Sequence, residues 1–319
     1  LRYKQIEEVY TVVSGKDLEQ DINNEDMPSA LVSALSDASN GGKKPDVGQT
    51  VQLKGGSNGL TNPTYKDGLD LLLNENVQIV LAAGQDESFG DELDAHCQQA
   101  STDTIKRDRI AVVGSKSANL DDITKHKLAS DRVILVAPGI KFTDATTTKE
   151  VTLPGSYAAA AIAGLLAGFS PQISLTNKTL QVGGLQKSYT AAELTQLVQS
   201  RVLALEERQG IRVVKGITTS TNTAWTQITT RRIVDYAKYG VRSASLPYIG
   251  LLNNDRVRGA LKSTIDSFLQ GMMSDEMLVN YKLDVSATRA QERQGIVQVT
   301  ITLQPVFSID YIKVTMFLE

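Results

Sequence analysis

The sequence predicts an α/β fold, in which a parallel sheet flanked by helices is followed by an α+β region with a mostly antiparallel sheet. Two observations lead to this class. Between residues 49 and 169, short apolar runs alternate with segments of helical spacing, and parallel neighbours need crossover connections of this kind. After residue 170, long amphipathic helices precede runs in which apolar and polar residues alternate, the pattern of strands exposed on one face.

We expect three regions in this chain of 319 residues, which is long enough for about two domains. Residues 1–48 would be the remnant of an N-terminal or outer region with a connector, and residues 49–169 the α/β domain. Residues 170–319 would be a C-terminal α+β domain that ends in a strand arm at about 305–319. Because the chain begins at Leu1 rather than Met, we expect that something upstream was removed or never included.

The elements of the α/β region follow from its apolar runs and turn residues. Four apolar runs predict strands at residues 51–53, 77–83, 110–113 and 133–136. Helices are expected from the Asn62-Pro63 start, around Leu93 and Cys97, around Ile123, and from a Ser156 cap to Gly168. The last helix is apolar from 158 to 169, which is shorter than the roughly 20 residues that span a bilayer.

Longer helices are expected in the second half. A capping box from Thr190 to Glu193 predicts a helix whose apolar face extends to Leu205 and which stops at Gly210. The remaining expected elements are a strand at 211–219, helices at about 229–242 and 255–273, and a strand at 281–286.

The end of the chain contains two alternating runs. The first, residues 296–304, predicts a half-buried strand, and Pro305 is expected to end it. The second predicts another strand, which carries Tyr311, Ile312, Val314, Met316 and Leu318. A well-patterned strand at a chain end invites pairing with another molecule. The alternative is an ordinary edge strand within the chain's own sheet.

Composition excludes several classes of protein. The balance of 33 Lys+Arg against 36 Asp+Glu gives a net charge of −3, so no basic field indicates nucleic-acid binding. A single cysteine, Cys97, excludes an intramolecular disulfide framework. No signal peptide or membrane insertion is expected.

The residues 55–59, GGSNG, match the G-x-S-x-G nucleophile elbow and make a hydrolase-like enzyme that uses Ser57 the alternative function. An elbow needs its helix to start directly after the serine, but Asn62 delays it, and neither His96 nor His126 lies in a late loop. A turn permitted by glycine is favoured. The loop also lacks the Gly-Lys-Ser/Thr ending of a P-loop and the spacing of a dinucleotide fingerprint, so no cofactor is expected. His96 and Cys97 are adjacent without a second ligand pair, so no metal site is expected either.

Two clusters of basic residues lie on consecutive predicted helices. They are Arg231, Arg232, Lys238 and Arg242 on the first helix, and Arg256, Arg258 and Lys262 on the second. Such clusters are either solvated helix faces or contact surfaces for a partner with an acidic surface.

Four segments, in this order, resemble the sheath proteins of contractile phage tails and of related contractile injection systems and phage-tail-like bacteriocins. They are LKGGSNG at 53–59, SDRVILVAP at 130–138 leading into LPGSYAAA at 153–160, GIRVVKG at 210–216 followed by TRRIVDY at 230–236, and the closing pair of strands. The resemblance covers about residues 50–319.

This resemblance implies a structural subunit without catalytic residues, cofactor or metal, which stacks in helical rings around an inner tube and contracts. The implied partners are other copies of the chain, the inner tail tube protein, and the baseplate and tail terminator proteins, in a virion tail assembled in the bacterial host cytoplasm. The run 310–319 would be an arm that adds a strand to a neighbour's C-terminal domain.

The resemblance also supports a role for the two basic clusters, which we expect to face the inner tube in the extended state. The chain departs from the family at its start, where we expect that it lacks the N-terminal arm and an outer β-rich region. With half of the strand exchange absent, a monomer or weak oligomer is expected.

Overall fold

The computed structural model of the chain describes residues 15–24, 62–144 and 148–317. The chain forms two compact units, residues 1–59 and residues 60–319. In the first unit the described part contains the helix α1 (Gly15–Ile22), which the sequence patterns did not predict. The strand expected at 51–53 and the turn with Ser57 lie outside the described residues.

The second unit contains the other described helices and strands. Its helices are α2 (Asn62–Leu72), α3 (Gly90–Ala100), α4 (Leu120–Thr124), α5 (Gly155–Ala167), α6 (Ala191–Gln199), α7 (Ile228–Ser245), α8 (Asp255–Ser274) and α9 (Arg289–Arg293). Its strands are β1 (Ile79–Val80), β2 (Ile110–Gly114), β3 (Val133–Ala137), β4 (Ile140–Thr143), β5 (Glu150–Leu153), β6 (Thr179–Leu180), β7 (Gly184–Leu185), β8 (Leu203–Glu207), β9 (Ile211–Val213), β10 (Leu278–Ser286) and β11 (Gln298–Pro305).

A six-stranded main sheet organises this unit, with strand order β1-β2-β3-β8-β9-β6. The first four strands run parallel, and β9 is antiparallel to both of its neighbours. Every residue of β2 and β3 is buried, as expected of strands covered on both faces. Residues of α5 pack on one face, and residues of α3 and α6 pack on the other. The predicted parallel sheet flanked by helices is confirmed.

Close contact between β2 and α5 depends on two glycines. A Cβ atom on Gly114 would lie 1.9 Å from the backbone of Gly155, closer than any side chain allows. Helix α5 starts at Gly155 with Pro154 as its N-cap. The predicted Ser156 cap is therefore wrong by two positions, and Ser156 lies inside the first turn of the helix, where it is buried.

One predicted helix was too long, and this error hid a strand of the main sheet. Helix α6 begins at the predicted capping box but ends at Gln199. Arg201 then adopts a left-handed backbone with φ 65°, which reverses the chain direction, and β8 follows as the parallel neighbour of β3. The main sheet consequently includes strands from both sides of residue 170, where we expected a domain boundary. The predicted strands at 77–83 and 211–219 are also shorter than expected, as β1 and β9.

The part of the chain after residue 227 packs two long helices against a two-stranded antiparallel sheet. Helices α7 and α8 match their predictions, and a Cβ on Gly240 would lie 1.9 Å from Phe268 Cζ, so this glycine lets the helices approach closely. In the sheet, Lys282 of β10 is opposite Thr302 of β11. Alternate side chains of both strands pack against Leu261, Ile265 and other apolar residues of α8. The predicted antiparallel α+β region is confirmed.

Candidate functional site

The candidate site consists of the C-terminal arm (residues 306–319) and the open edges of the sheet formed by β10 and β11. From Val306 to Phe317 the arm has no regular secondary structure, so the strand predicted after Pro305 is wrong for the single chain. Pro305 itself lies in β11, opposite Leu278. A strand needs ladder partners for its backbone groups, and within the described residues the arm is paired with no other strand.

The arm exposes an unusual amount of apolar surface. Its exposed side chains include Tyr311 at 82%, Ile312 at 74%, Val314 at 69%, Met316 at 86% and Phe317 at 89%. Single exposed apolar residues are normal, but a contiguous set of them indicates a binding surface. The fifth residue of the predicted intersubunit strand, Leu318, lies outside the described residues.

The sheet formed by β10 and β11 has two long edges. Within the described residues neither outer edge is hydrogen-bonded to a third strand. Two-stranded sheets are marginally stable unless something else supports them. Here the apolar face packs on α8, while residues such as Lys282 and Thr302 point to the polar face. An additional strand could pair with either edge without disturbing this packing.

Among the described residues of the arm, the first five are fastened to the rest of the chain. Val306 N–H donates to the Met277 carbonyl, and Ser308 and Asp310 are hydrogen-bonded to Gln227. Among the described residues 311–317, none makes a hydrogen bond or ion pair to the body. We call residues 306–310 the arm base and residues 311–319 the arm tip. Sequence patterns gave no signal for this contact, since Gln227 and Asp310 are 83 residues apart.

Most of the first basic cluster lies in an internal network of charges rather than on a free surface. Arg132 at the start of β3 contacts Asp235 of α7 at 2.8 Å and Asp108 at 3.3 Å. Arg231 contacts the same Asp235 at 2.8 Å and Asp131 at 2.7 Å. The side chains of Arg132 and Arg231 are only 3% and 6% exposed. The network therefore fastens α7 to the main sheet.

Two further cations of α7 join the network at its outer side. Arg242 lies 2.6 Å from Asp108 and 3.4 Å from Asp103, and Lys238 lies 3.4 Å from Asp108. Arg232 instead donates to the carbonyls of Phe169 and Ser170, just after α5. The tube-facing expectation does not fit Arg231, because its buried guanidinium is already shared between two carboxylates.

The second basic cluster on α8 is more accessible. Arg258 pairs with Asp255 and, at 2.9 Å, with Glu292. Arg256 and Lys262 are exposed, and no ion pair engages either of them within the described residues. These two are the cations of the predicted set that a partner could reach most directly.

Both histidines are structural in the described part of the chain. His96 is 4% exposed, and its Nε2 accepts a hydrogen bond from Arg109 Nη1 at 3.0 Å. A guanidinium only donates, so the neutral ring must carry its proton on Nδ1. His126 Nε2 lies against the Ser200 carbonyl, which only accepts, so this ring carries its proton on Nε2. Burial lowers the pKa of both rings.

Residues 15–24, 62–144 and 148–317 lack the features of several other protein classes. In these ranges no group of three or more His, Cys, Asp or Glu side chains is placed to hold a metal ion. No helix there combines the length and apolar character needed to span a membrane. Cys97 is fully buried, and burial raises the pKa of its thiol to about 12, so it is unsuited to nucleophilic chemistry.

Two protein-family models match the chain. The model described as "Phage tail sheath protein central domain" matches residues 58–219, and "Phage tail sheath C-terminal domain" matches residues 220–319. The junction between the two models falls just before α7. Together they cover the main sheet, the two long helices and the C-terminal arm.

One curated relative is the tail sheath protein of Bacillus phage SP01. It is 28% identical over 239 residues, which are 72% of this chain and 42% of the relative. This chain thus spans about two fifths of the length of the curated relative that it matches.

Solved sheath structures share the fold at low sequence identity. The sheath tail protein from Desulfitobacterium hafniense has a TM-score of 0.65 at 18% identity, covering 81% of this chain and 60% of that one. The sheath complex of an extracellular contractile injection system, PVC, in the contracted state gives 0.67 at 15% identity, with 82% and 75% covered. The contracted helical sheath of the anti-feeding prophage gives 0.64 at 16% identity, with 81% and 74% covered.

Replacing Asp235 by alanine should destabilise the chain strongly, because it leaves the buried cations Arg132 and Arg231 without their shared carboxylate. Removing one partner of a buried ion pair costs about 3–5 kcal/mol, measurable as a lower free energy of unfolding in urea. Asp103→Ala is the matched control, since its side chain is fully exposed at the rim of the same network. Equal losses in the two variants would contradict the assignment.

Stability should fall as the pH is lowered below 6.5, the ordinary pKa of histidine. The unfolded chain takes up protons there, whereas the folded chain resists protonation of His96 and His126 until their lowered pKa values are reached. His96→Gln keeps an acceptor for Arg109 and cannot titrate. Its free energy of unfolding should therefore decline less between pH 7 and pH 5 than that of the unchanged chain, and an identical decline would refute this reading.

Proposed function

Because the chain belongs to the phage tail sheath protein family, we propose that it is the structural subunit of a contractile sheath. In this proposal it polymerises around an inner tube and contracts to drive that tube through a target envelope. The observation that carries the proposal is the exposed C-terminal arm next to a sheet with two open edges. Within the described residues, the arm lacks a strand to pair with, and the sheet edges lack a third strand, so an arm and an edge from two copies could complete each other.

The proposed link between subunits is strand addition. The arm tip of one copy would lie along the edge of β10 or β11 of another copy, with Ile312, Val314 and Met316 turned to the helix side. A ladder of backbone hydrogen bonds gives such a contact its strength, and alternate side chains give it its register. The same link is compatible with contraction, because a paired strand keeps its ladder while the attached bodies rotate.

One such link would be weak by itself. Burying an apolar side chain contributes about 1.5–3 kcal/mol, while fixing the backbone of a residue costs about 1–2 kcal/mol. Only alternate residues of the arm tip would be buried whereas every residue would be ordered, so apolar burial alone does not outweigh the ordering cost of a single link. In a ring stack, however, each subunit gives one arm and accepts another, so the links act together and their combined strength grows through multivalency.

We propose that the inner tube lies against the exposed side of α8. Its support is that Arg256 and Lys262 are exposed and unpaired within the described residues, while the cations of α7 are engaged internally. An acidic tube surface would complement these two charges. The further partners in the proposal are baseplate and tail terminator proteins, in a virion tail assembled in the host cytoplasm. A chain with a similar fold occurs in a structure of the anti-feeding prophage baseplate, which supports the baseplate as a partner.

The alternative function, a hydrolase that uses Ser57, has no support. The family is structural rather than enzymatic, and both matching family models and the curated relative describe tail sheath proteins. His96 and His126 are held in the main-sheet region by Arg109 and by the Ser200 carbonyl. The ring nitrogen of His126 that has no hydrogen-bond partner, Nδ1, is buried, and the proton that His96 carries on Nδ1 leaves that ring without an accessible base.

Substitution of the arm tip tests the strand link. Val314→Asp places a charge on the side that we propose to be buried, whereas Thr315→Asp places it on the opposite side of the same strand. In the full-length protein, Val314→Asp should abolish sheath tubes seen by electron microscopy, and Thr315→Asp should leave them. If both variants still form tubes, the arm is not the link.

Charge reversal on α8 tests the tube contact. Arg256→Glu together with Lys262→Glu should reduce co-assembly of the full-length sheath with its tube protein, measured by co-sedimentation, and leave the folded subunit unchanged by circular dichroism. Lys282→Glu, on the polar face of β10, is the control for a change of surface charge. Unaltered tube binding in the double variant would show that the tube lies elsewhere.

A further inference from the structure

We propose that the C-terminal arm pivots between Asp310 and Tyr311, because the arm base is docked on the subunit's own body by Gln227, Thr176 and Lys215. Only the arm tip, residues 311–319, would then be exchanged between copies. The proposal rests on the proposed function for the exchange itself, but the position of the pivot is a property of the single chain.

Gln227 holds the arm base as a neighbouring strand would. Its Oε1 accepts from Ser308 N–H at 2.9 Å, and its Nε2 donates to the Ser308 carbonyl at 3.1 Å. A side-chain amide thus satisfies both backbone groups of one residue. Gln227 is also the N-cap residue of α7, yet its side chain makes no capping hydrogen bond. The amide therefore hydrogen-bonds to the arm instead of capping its own helix.

Asp310 is the last fastened residue. Its carboxylate accepts from Thr176 Oγ1 at 2.9 Å and from Gln227 Nε2 at 2.9 Å, and it lies 3.5 Å from Lys215 Nζ. The carboxylate is 13% exposed, so these contacts are largely shielded from water. Three segments that are distant in sequence therefore meet on one side chain.

The change from fastened to free is abrupt. Within the arm base, Ser308 and Asp310 are partly buried, whereas the side chains that precede each of them, Phe307 and Ile309, are exposed. Every described residue from Tyr311 to Phe317 is exposed. The arm is held at alternate residues as far as Asp310 and, among the described residues, is free of the body from Tyr311 onward. The pivot therefore lies between these two residues.

This pivot sets how far the arm can reach. At roughly 3.3 Å per residue, residues 311–319 extend at most about 30 Å from Asp310. Release of the arm base would lengthen the tether by about 16 Å. While the arm base is docked, a pulling force on the arm tip is transmitted to the rest of the subunit through the contacts of Asp310 with Gln227 and Lys215. The sheet formed by β10 and β11, which is proposed to receive a neighbour's tip, is then not pulled by the subunit's own arm.

Distance distributions between spin labels locate the pivot. One label is placed at Ser263→Cys on α8, and the second at either Ile309→Cys or Lys313→Cys, three exposed positions. Native Cys97 is fully buried with the pKa of its thiol raised to about 12, so it stays unlabelled. For the unassembled chain we expect a narrow distribution at Ile309 and a several-fold wider one at Lys313. Equal widths at the two positions would overturn the proposal.

Removal of the docking contacts provides the second readout. The double variant Gln227→Ala and Asp310→Ala should widen the Ile309 distribution towards that of Lys313. The control is Gln270→Ala, which removes an amide whose hydrogen bond goes to Asp266 of its own helix, and it should change neither distribution. An unchanged Ile309 distribution in the folded double variant would show that other contacts hold the base.

Failure of the pivot and failure of the proposed function give different results. In assembled full-length protein, exchange of the arm tip should narrow the Lys313 distribution while the Ile309 distribution stays narrow. A Lys313 distribution that remains wide after assembly would contradict the exchange and leave the pivot intact. A wide Ile309 distribution in the unassembled chain would contradict the pivot alone.

Discussion

Backbone hydrogen bonding is the constraint on which the function of this chain depends. Every buried N–H and C=O group needs a partner, and among the described strands β10 and β11 pair with each other alone. Within the described residues, the backbone groups of their outer edges and of the arm tip have no strand partner and face solvent. Proteins usually cover or blunt such edges, because an open edge recruits other chains. In a sheath subunit this recruitment is the proposed purpose of the edge.

The buried charge network gives this linkage a firm support. Arg132, Asp235 and Arg231 connect the start of β3 to the first turns of α7, and α7 in turn packs closely on α8 through Gly240. Ion pairs buried this deeply contribute little net stability, but they tolerate only one arrangement, since an unmatched charge is costly. The arm base docks on Gln227 at the N-terminus of the same helix. Helix α7 thus connects the main sheet, the sheet of β10 and β11 and the arm base.

Sequence patterns predicted the parts of the fold that have a regular periodicity. The uninterrupted apolar runs of β2 and β3, the apolar stripe of α8 and the alternation of β11 each correspond to one secondary structure. Strand β8 was missed because Val202, Leu203, Ala204 and Leu205 are all apolar, and such a short run fits a buried helix as well as a buried strand. Only the left-handed backbone at Arg201 decides between them, and that conformation has no clear signature for an arginine.

The sequence predicted the alternating pattern of the arm, but it did not predict the tertiary contacts of the arm or of the basic residues. The alternation after Pro305 indicated a strand that needs a partner, which the single chain does not provide. Spacing along α7 could not distinguish free cations from paired ones, because the acids that engage them, Asp108 and Asp131, come from the main-sheet region. The docking of Ser308 and Asp310 on Gln227 depends on tertiary proximity alone. The sequence therefore predicted an interaction surface, and the structure shows which residues hold the base of the arm to the body.

High-resolution cryo-electron microscopy of the full-length protein assembled into tubes tests the central claim most directly. The account predicts continuous density for residues 311–319 running along the outer edge of β10 or β11 of a different subunit, with main-chain density bridging the two. Density that returns the same residues to their own subunit, with both sheet edges unpaired or closed by other segments, would contradict it.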